Sequence, residues 1–369
     1  MTDSCATCLR RSHLLGHLAP RIADLLARKH RRVVPGMLGL DDEELIAAVA
    51  GAHAGEAHRF LETFDASVAR RELERMGVHA ACAHGSAYPV RLRDLRDPPA
   101  TLFWVGSDER LASLTREPAV AVVGARRASQ YGLEVGYSLG RGLGASGITV
   151  VSGMALGVDA AAHRGVLDAG GPALAVLACG PELAYPRVNR GLHGRLVGTG
   201  AVVSEHPPGQ RALRWSFPAR NRIMAALVEL VVVVEAAEHS GSLITADLAS
   251  ELGRSVAAVP GRITHRGTAG SNRLLREGAM LTRGTEDVLD ELFGPGARAG
   301  PDTPDPALET LGASERSVLE QVEAGRGGPD ALGLELRLSA AAVRAALGRL
   351  EAVGLVVRGA LGAYERTAR

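Results

Sequence analysis

Six short apolar runs stand out along the middle of the chain: AVAVVG (119–124), GITVVSG (147–153), ALAVLACG (173–180), AVVSE (201–205), LVVVVEA (230–236) and SVAAVPG (255–261). Each is rich in β-branched or small residues and apolar at successive positions, the pattern of a strand buried on both faces. Between them lie amphipathic stretches of helical length, such as YGLEVGYSLGRGLGAS (131–146) and SLITADLASELG (242–253). This alternation predicts an α/β fold: a mostly parallel sheet with helices on both faces. Because the strands run into glycine, the functional loops are expected at the carboxyl edge of the sheet.

The flanks have another texture. HLAPRIADLLA (17–27), DDEELIAAVA (41–50) and EAHRFLETFDASVARRELERMG (56–77) have apolar residues at helical spacing, so residues 1–80 are expected to form a small helical domain. GPGARAGPDTPDP (294–306) has no apolar period and reads as a linker over 294–307. Beyond it, SERSVLEQVEAG, PDALGLELRL and SAAAVRAALGRLEAVG predict three helices, and LVVRGALGAYER predicts a β-ribbon. Residues 308–369 are thus expected to be a winged helix-turn-helix, with Ser339 capping its recognition helix. That helix offers little besides Arg344 and Arg349, and the sequence leaves protein docking and DNA reading both open.

Composition narrows the class. The apolar fraction is 46% and the charged fraction 22%, as in a soluble globular protein. No apolar run approaches the roughly 20 residues of a membrane span. The N-terminus MTDSCATCLRR has no secretory pattern, so the cytoplasm is the expected compartment. Net charge is only +1, so nucleic-acid binding would require a local basic patch. Residues 10–32 carry Arg10, Arg11, Arg21, Arg28, Lys29, Arg31 and Arg32 against Asp24 alone; a solvated basic face accounts for them as well as a DNA contact does. Cys5 and Cys8 form one CxxC, followed by His13 and His17. A structural zinc site draws its second pair from farther along the chain, so the two are read as reduced thiols at a helix start, and no metal or cofactor is expected.

Four loops carry the chemistry. VVGARRASQYG (122–132) places Arg126 and Ser129 where a dinucleotide fingerprint needs its second and third glycines, and no Gly-Lys-Ser/Thr follows. What remains is a strand-to-helix turn suited to an anion, with Arg126 for charge and Ser129 for a hydroxyl. SGMALGVDAAAH (152–163) sets Asp159 and His163 one helical turn apart; with no nucleophile beside them, they are expected to hold the loop in place. FPARNRIMAALV (217–228) puts Arg220 and Arg222 near a helix start, where they oppose the dipole and call for an anion. EAAEHSGSLITADLA (235–249) supplies Ser240, Gly241 and Ser242 at another helix start. Such a series suits a chain of phosphates better than one nucleotide.

Taken in order, these loops resemble, one by one, those of the DNA-processing protein A (DprA/Smf) family. LACGPELAYPRVN, VVSEHPPG and AVPGRITHRGTAGSNRLLREGAMLT belong to the same series, and YPVRLRDLRDPPATLFWVGS (88–107) is similar to the family's lead-in. The resemblance covers about residues 85–290. It implies an extended Rossmann-like core over 85–293, flanked by a helical SAM or helix-hairpin-helix-like domain and a winged helix. It implies a non-catalytic homodimer that binds and protects single-stranded DNA and loads the RecA recombinase in natural transformation or recombination. By matching motif, DNA binding falls on Gly124, Arg126, Arg127, Ser129, Arg220, Asn221 and Arg222, with Ser152, Gly153, Ser240 and Gly241 shaping the turns. SNRLLREGAML makes Leu275 and Leu281 candidate dimer and RecA contacts.

Two departures from the family are visible. Arginine stands where many relatives have lysine, and aromatic residues are only 3%, leaving Tyr131, Tyr185, Trp215 and Phe217 to stack on bases. Two other readings remain: a nucleotide-processing hydrolase resembling the phosphoribohydrolases, whose PGGxGT loop is met here by Pro260-Gly261 and Gly267-Thr268 without the glutamate, and a duplex-reading transcriptional binder.

Overall fold

The computed structural model describes residues 2–28, 36–297, 308, 310–359 and 362–367. It divides into two units, 1–300 and 301–369.

All six expected strands form, as β4 (Ala119–Val123), β5 (Thr149–Ser152), β6 (Ala173–Val176), β7 (Ala201–Ser204), β8 (Leu230–Val233) and β9 (Ser255–Ala258). They belong to a ten-stranded sheet that also contains β1 (Thr2–Asp3), β2 (His79–Cys82), β3 (Thr101–Gly106) and β10 (Met280–Leu281). The order is β1-β2-β3-β7-β6-β5-β4-β8-β9-β10. From β7 to β10 every pairing is parallel, while β3 runs antiparallel to β7 and β2 to β3. Of the added strands, β1 and β10 are two residues long and β2 (HAAC) has no β-branched residue, so their pairing partners decide that they are strands. β3 (TLFWVG) is a six-residue, largely apolar and buried run, a strand pattern that the six expected runs do not include.

The continuous apolar runs follow from burial on both faces. In β4, Val120 and Val122 join one core cluster and Ala121 and Val123 the other, as the two-residue period of a strand requires. One face is covered by α6 (Gln130–Ala145), α7 (Val158–Asp168), α8 (Arg190–Thr199) and α12 (Thr285–Phe293); the other by α5 (Asp108–Leu114), α9 (Ser216–Leu227), α10 (Gly241–Glu251) and α11 (Ala269–Arg276). Close packing of α6 on α7 needs a missing side chain at Gly140, where a Cβ would lie 2.1 Å from the Ala162 carbonyl oxygen.

The amino-terminal helices are α1 (Ala6–Arg28), α2 (Asp42–Val49), α3 (Ala54–Thr63) and α4 (Ala66–Met76). The last expected helix is split in two at Asp65, whose carboxylate accepts from the Ser67 and Val68 amides and so starts α4. Asp41 and Glu44 form a capping box at α2. Leu14, Leu18, Ile22, Leu45 and Ile46 make a cluster that takes in Trp215 from the sheet region. Each such fully buried aliphatic side chain contributes about 1.5–3 kcal/mol. Leu9 and Leu73 enter the core beneath the sheet, and β1 pairs with β2, so the helical segment is built into the sheet's edge. Arg10 and Arg11 of the basic stretch face Asp42 at 3.6 and 2.9 Å; Lys29, Arg31 and Arg32 lie outside the described residues.

The second unit contains α13 (Ala313–Glu323), α14 (Pro329–Leu336), α15 (Ala340–Ala352) and an antiparallel ribbon of β11 (Val356–Arg358) and β12 (Tyr364–Arg366) around Val318, Leu332, Val343 and Leu350. Ser339 caps α15 by accepting from the Ala342 amide at 3.2 Å. Of that helix's two arginines, Arg349 faces Glu315 at 3.4 Å. Most of the expected linker, residues 298–307, lies outside the described residues. No described helix is long and apolar enough to cross a membrane.

Candidate nucleic-acid interface

The chain enters the parallel sheet at β4, builds outward through β5 to β7, then returns to β8 on the other side of β4. Loops leaving β4 and β8 therefore diverge and open a crevice at the carboxyl edge, the usual ligand position in such sheets. The floor of the crevice is tightly tied. Ala125 donates its amide to the Glu235 carbonyl at 2.7 Å, and Val158 donates to the Ala125 carbonyl at 3.2 Å. A Cβ on Gly124 would fall 2.6 Å from Val158 Cγ2, so the turn closes only with glycine there.

Ser129 does not offer a free hydroxyl, contrary to the expectation of a phosphate donor. It caps α6: its Oγ accepts from the Gly132 amide at 3.1 Å and donates to Glu235 Oε2 at 2.5 Å. Its amide also points at both Glu235 oxygens, at 3.1 and 3.2 Å. Glu235 is 1% exposed, and this buried carboxylate fixes the start of α6. The only signal for it in the sequence is an acid placed directly after an apolar strand run.

Arg126 and Arg127 are exposed above this floor. The Arg126 guanidinium lies 4.7 Å from the centre of the Phe217 ring, and Phe217 in turn tilts against Tyr185 with ring centres 5.6 Å apart. Arg220, one helical turn along α9 from Phe217, is 4% exposed. Its Nη1 donates to the Val176 carbonyl at 2.5 Å, while its Nε has no protein partner among the described residues. Gly153 makes room for it, since a Cβ there would lie 1.7 Å from Nη1.

Burial lowers the Arg220 pKa to about 10; the buried Asp159 carboxylate opposes that shift and the nearby Arg126 charge adds to it. The group stays charged at neutral pH. Two guanidinium groups that repel across a small pocket are a site for an anion. The pocket holds about 90 Å³, far below the ~300 Å³ at which small-molecule sites begin. It adjoins an open cleft of about 1990 Å³ whose walls include Arg127, Asn221, Arg214, Arg266 and Ser240. Arg214 lies in none of the quoted loops, and Arg266 does not stand out within the AVPGRITHRGTAGSN stretch; tertiary structure adds both to the cleft.

The remaining expected site residues divide into those that shape the cleft and those that lie apart from it. Arg222 lies apart. Two residues along a helix from Arg220, it points nearly to the opposite side. There it is 6% exposed, grips both Glu205 oxygens at 2.7 Å, and directs Nε to the Asp97 carboxylate at 3.2 Å. The anion its position called for is internal. Burial would raise the Glu205 pKa, but Arg222 outweighs it and holds the carboxyl below its usual range.

Ser152 is wholly buried and donates to the Val122 carbonyl at 2.7 Å, joining β5 to β4. Asn221 donates to the Gly241 carbonyl at 3.1 Å, tying α9 to the first residue of α10. Ser240 caps α10 and shares a 2.7 Å bond with the Ser242 hydroxyl. Asp159 accepts from the Gly153 amide at 3.1 Å and so holds that loop; burial lowers the His163 pKa to about 4, leaving the ring neutral.

Of the aromatic residues, Trp215 is 3% exposed with its Nε1 donating to the Ala19 carbonyl, so it is not available to stack. Tyr131 is half exposed and donates to the Pro260 carbonyl at 3.2 Å. Leu281 is 50% exposed on the edge strand β10, while Leu275 packs partly against the core.

This arrangement has close counterparts. Residues 79–293 match the family model of DNA recombination-mediator protein A. The chain is 40% identical over 279 residues to a putative DNA processing protein DprA of Mycobacterium tuberculosis, covering 74% of this chain and 71% of that one. It is 41% identical over 204 residues to DNA processing protein DprA of Streptococcus pneumoniae, 55% of this chain and 71% of the relative. The solved S. pneumoniae structure superposes with a TM-score of 0.60 at 31% identity, covering 77% of this chain and 95% of that one. DNA processing protein A of Helicobacter pylori, solved for its single-stranded DNA binding mode, superposes with a TM-score of 0.50 at 30% identity over 56% of this chain and 92% of its own. With the matched region spanning the parallel sheet and every loop of the cleft, the chain belongs to the DNA recombination-mediator protein A (DprA/Smf) family.

Proposed function

We propose that the cleft at the carboxyl edge of the sheet binds single-stranded DNA and that the protein hands this DNA to the RecA recombinase. The observation that carries the reading is the pair Arg126 and Arg220, two guanidinium groups over a pocket sized for a phosphate and continuous with a long open cleft. Phe217 and Tyr185 beside them supply faces on which a base can stack. The relative of known single-strand binding mode is consistent with this.

The protein acts by holding DNA rather than by cleaving it. The Ser129 and Ser152 hydroxyls are occupied by Glu235 and Val122, burial pushes the Cys179 thiol up to about 12, and His163 is neutral and buried. We assign Arg126, Arg127 and Arg220 to phosphate contact, and Gly124, Ser129, Ser152, Gly153, Asn221, Ser240 and Gly241 to shaping the turns. A homodimer forms through the exposed Leu281 on the edge strand, and the protein acts in the cytoplasm on incoming or exposed strands during transformation or recombination.

Fluorescence anisotropy of a labelled poly-dT strand over a salt series, with an equal-length duplex as competitor, tests the binding. Tight, salt-sensitive binding that duplex fails to displace supports it. Equal displacement by duplex, or release of free base from nucleoside monophosphates, overturns it. Faster RecA assembly on strands coated with single-strand binding protein tests the handover, and a shift from dimer to monomer in Leu281→Glu tests the interface.

A further inference from the structure

Far along the chain from the cleft loops, four metal-ligating side chains converge where α1 begins. Cys5 stands immediately before that helix and Cys8 in its first turn, Cys82 comes from the end of β2, and His84 from the turn after it. We propose that Cys5, Cys8, Cys82 and His84 bind a structural Zn²⁺ ion in tetrahedral coordination.

The distances carry the assignment. His84 Nδ1 lies 3.6 Å from Cys5 Sγ, 3.5 Å from Cys8 Sγ and 3.6 Å from Cys82 Sγ. One ring N–H can point at only one sulfur, so a hydrogen bond explains one of the three separations. A common ion explains all of them: Zn–S of about 2.3 Å and Zn–N of about 2.0–2.1 Å at the tetrahedral angle put sulfur and nitrogen about 3.5–3.6 Å apart. All four ligand atoms lie within 4.8 Å of one another, which fits a single ion.

Backbone amides complete the sulfur environment. Cys5 donates to Cys82 Sγ at 3.4 Å and Cys8 to Cys5 Sγ at 3.5 Å, bonds that favour thiolate over thiol. On binding, the thiols release their protons to solvent, and Zn²⁺ with three thiolates and a neutral imidazole carries a net charge of −1. Four protein ligands leave no position open for substrate, so the ion is structural rather than catalytic.

Cys5 and Cys8 alone, three positions apart, cannot complete a structural zinc site. The missing pair lies 77 positions from Cys5, in the short stretch CAH (82–84), and folding brings it in. The ion would clamp the start of α1 onto β2, adding to the β1 pairing, the Ser4–Thr101 hydroxyl bond and buried Leu9 that already hold it there. A cross-link over so long a loop stabilises the fold by restricting the unfolded chain.

The test uses the full chain, purified under reducing conditions without chelator, with zinc measured by inductively coupled plasma mass spectrometry. One zinc ion per chain is expected. Cobalt(II) added to the metal-free protein should give the strong visible bands of a tetrahedral site with a sulfur-to-cobalt charge-transfer band. His84 is exposed, so His84→Ala should fold, checked by circular dichroism, yet lose metal to a competing chelator about 10-fold more readily or more. His84→Cys should restore binding. Purified protein without stoichiometric zinc and with only the weak spectrum of hydrated cobalt would overturn the proposal, as would a Cys5–Cys8 disulfide in the native protein or unchanged metal retention in His84→Ala.

Discussion

The guanidinium of Arg220 lies over the α-carbon of Gly153, so close that a Cβ at position 153 would stand 1.7 Å from Nη1. Arg220 cannot withdraw without giving up its bond to the Val176 carbonyl and exposing a buried pocket. Gly153→Ala should therefore displace the guanidinium, weakening single-strand binding and costing about 1–3 kcal/mol of stability. Gly198, in α8 and outside the cleft loops, has nothing within 4 Å of its Cβ position, so Gly198→Ala should lower neither. Thermal melts and anisotropy on the two variants check this, and equal behaviour would remove the steric argument.

Two arginines that look equivalent in the sequence should fail differently. Arg126→Ala should leave the melting temperature unchanged and reduce the slope of log K against log salt by about 0.7, one phosphate contact. Arg222→Ala leaves Glu205 buried without its partner and should cost about 3–5 kcal/mol of stability. Paired melting and salt-titration series separate the roles; an Arg222→Ala protein of normal stability with a reduced salt slope would return that residue to the DNA site.

Phe217 positions Arg126 as well as offering a face to bases. Replacing it with leucine keeps bulk but removes the ring, and should weaken single-strand binding by about 0.5–1 kcal/mol, roughly a few-fold. Phe217→Trp should restore it. Affinity measured across Leu, Tyr and Trp at this position should follow ring character, and a dependence on volume alone would contradict the cation–π contact.

Acid should destabilise the sheet unit through His163. Its folded pKa is lowered to about 4 from an ordinary 6.5, chiefly by burial. Below pH 6.5 the unfolded chain takes up a proton that the folded one refuses, so stability is fully present above that pH and falls until about pH 4. The loss over the window is of order 3 kcal/mol. His163→Phe should flatten the dependence of melting temperature on pH between 5 and about 7.5, and an unchanged profile would place the acid sensitivity elsewhere.

The strands from β4 to β9 were legible because burial on both faces demands uninterrupted apolar runs, and the cleft loops because glycine and arginine sit at their ends. Strands β1, β2 and β10 were not, since a two-residue or alanine-based segment becomes a strand only through its neighbours, whereas the apolar run of β3 carries a strand pattern of its own. Among the site residues, Arg126 and Arg220 stand out in the local pattern and do face the pocket. Arg222 carried the same local pattern and faces Glu205 instead, because two steps of a helix reverse the direction of a side chain.

By itself, then, the order of residues along the chain determined the alternation of strands and helices, the edge at which the loops gather, and the family resemblance that those loops carry. Tertiary structure alone decided which charges remain available to a ligand. Ser129 is taken by Glu235 and Arg222 by Glu205, while Cys5 and Cys8 gain Cys82 and His84. The physical reason is common to all three: a polar or ligating side chain is committed by its partners in space, and those partners lie 106, 17 and 77 positions away. No local period or spacing reports contacts of that kind.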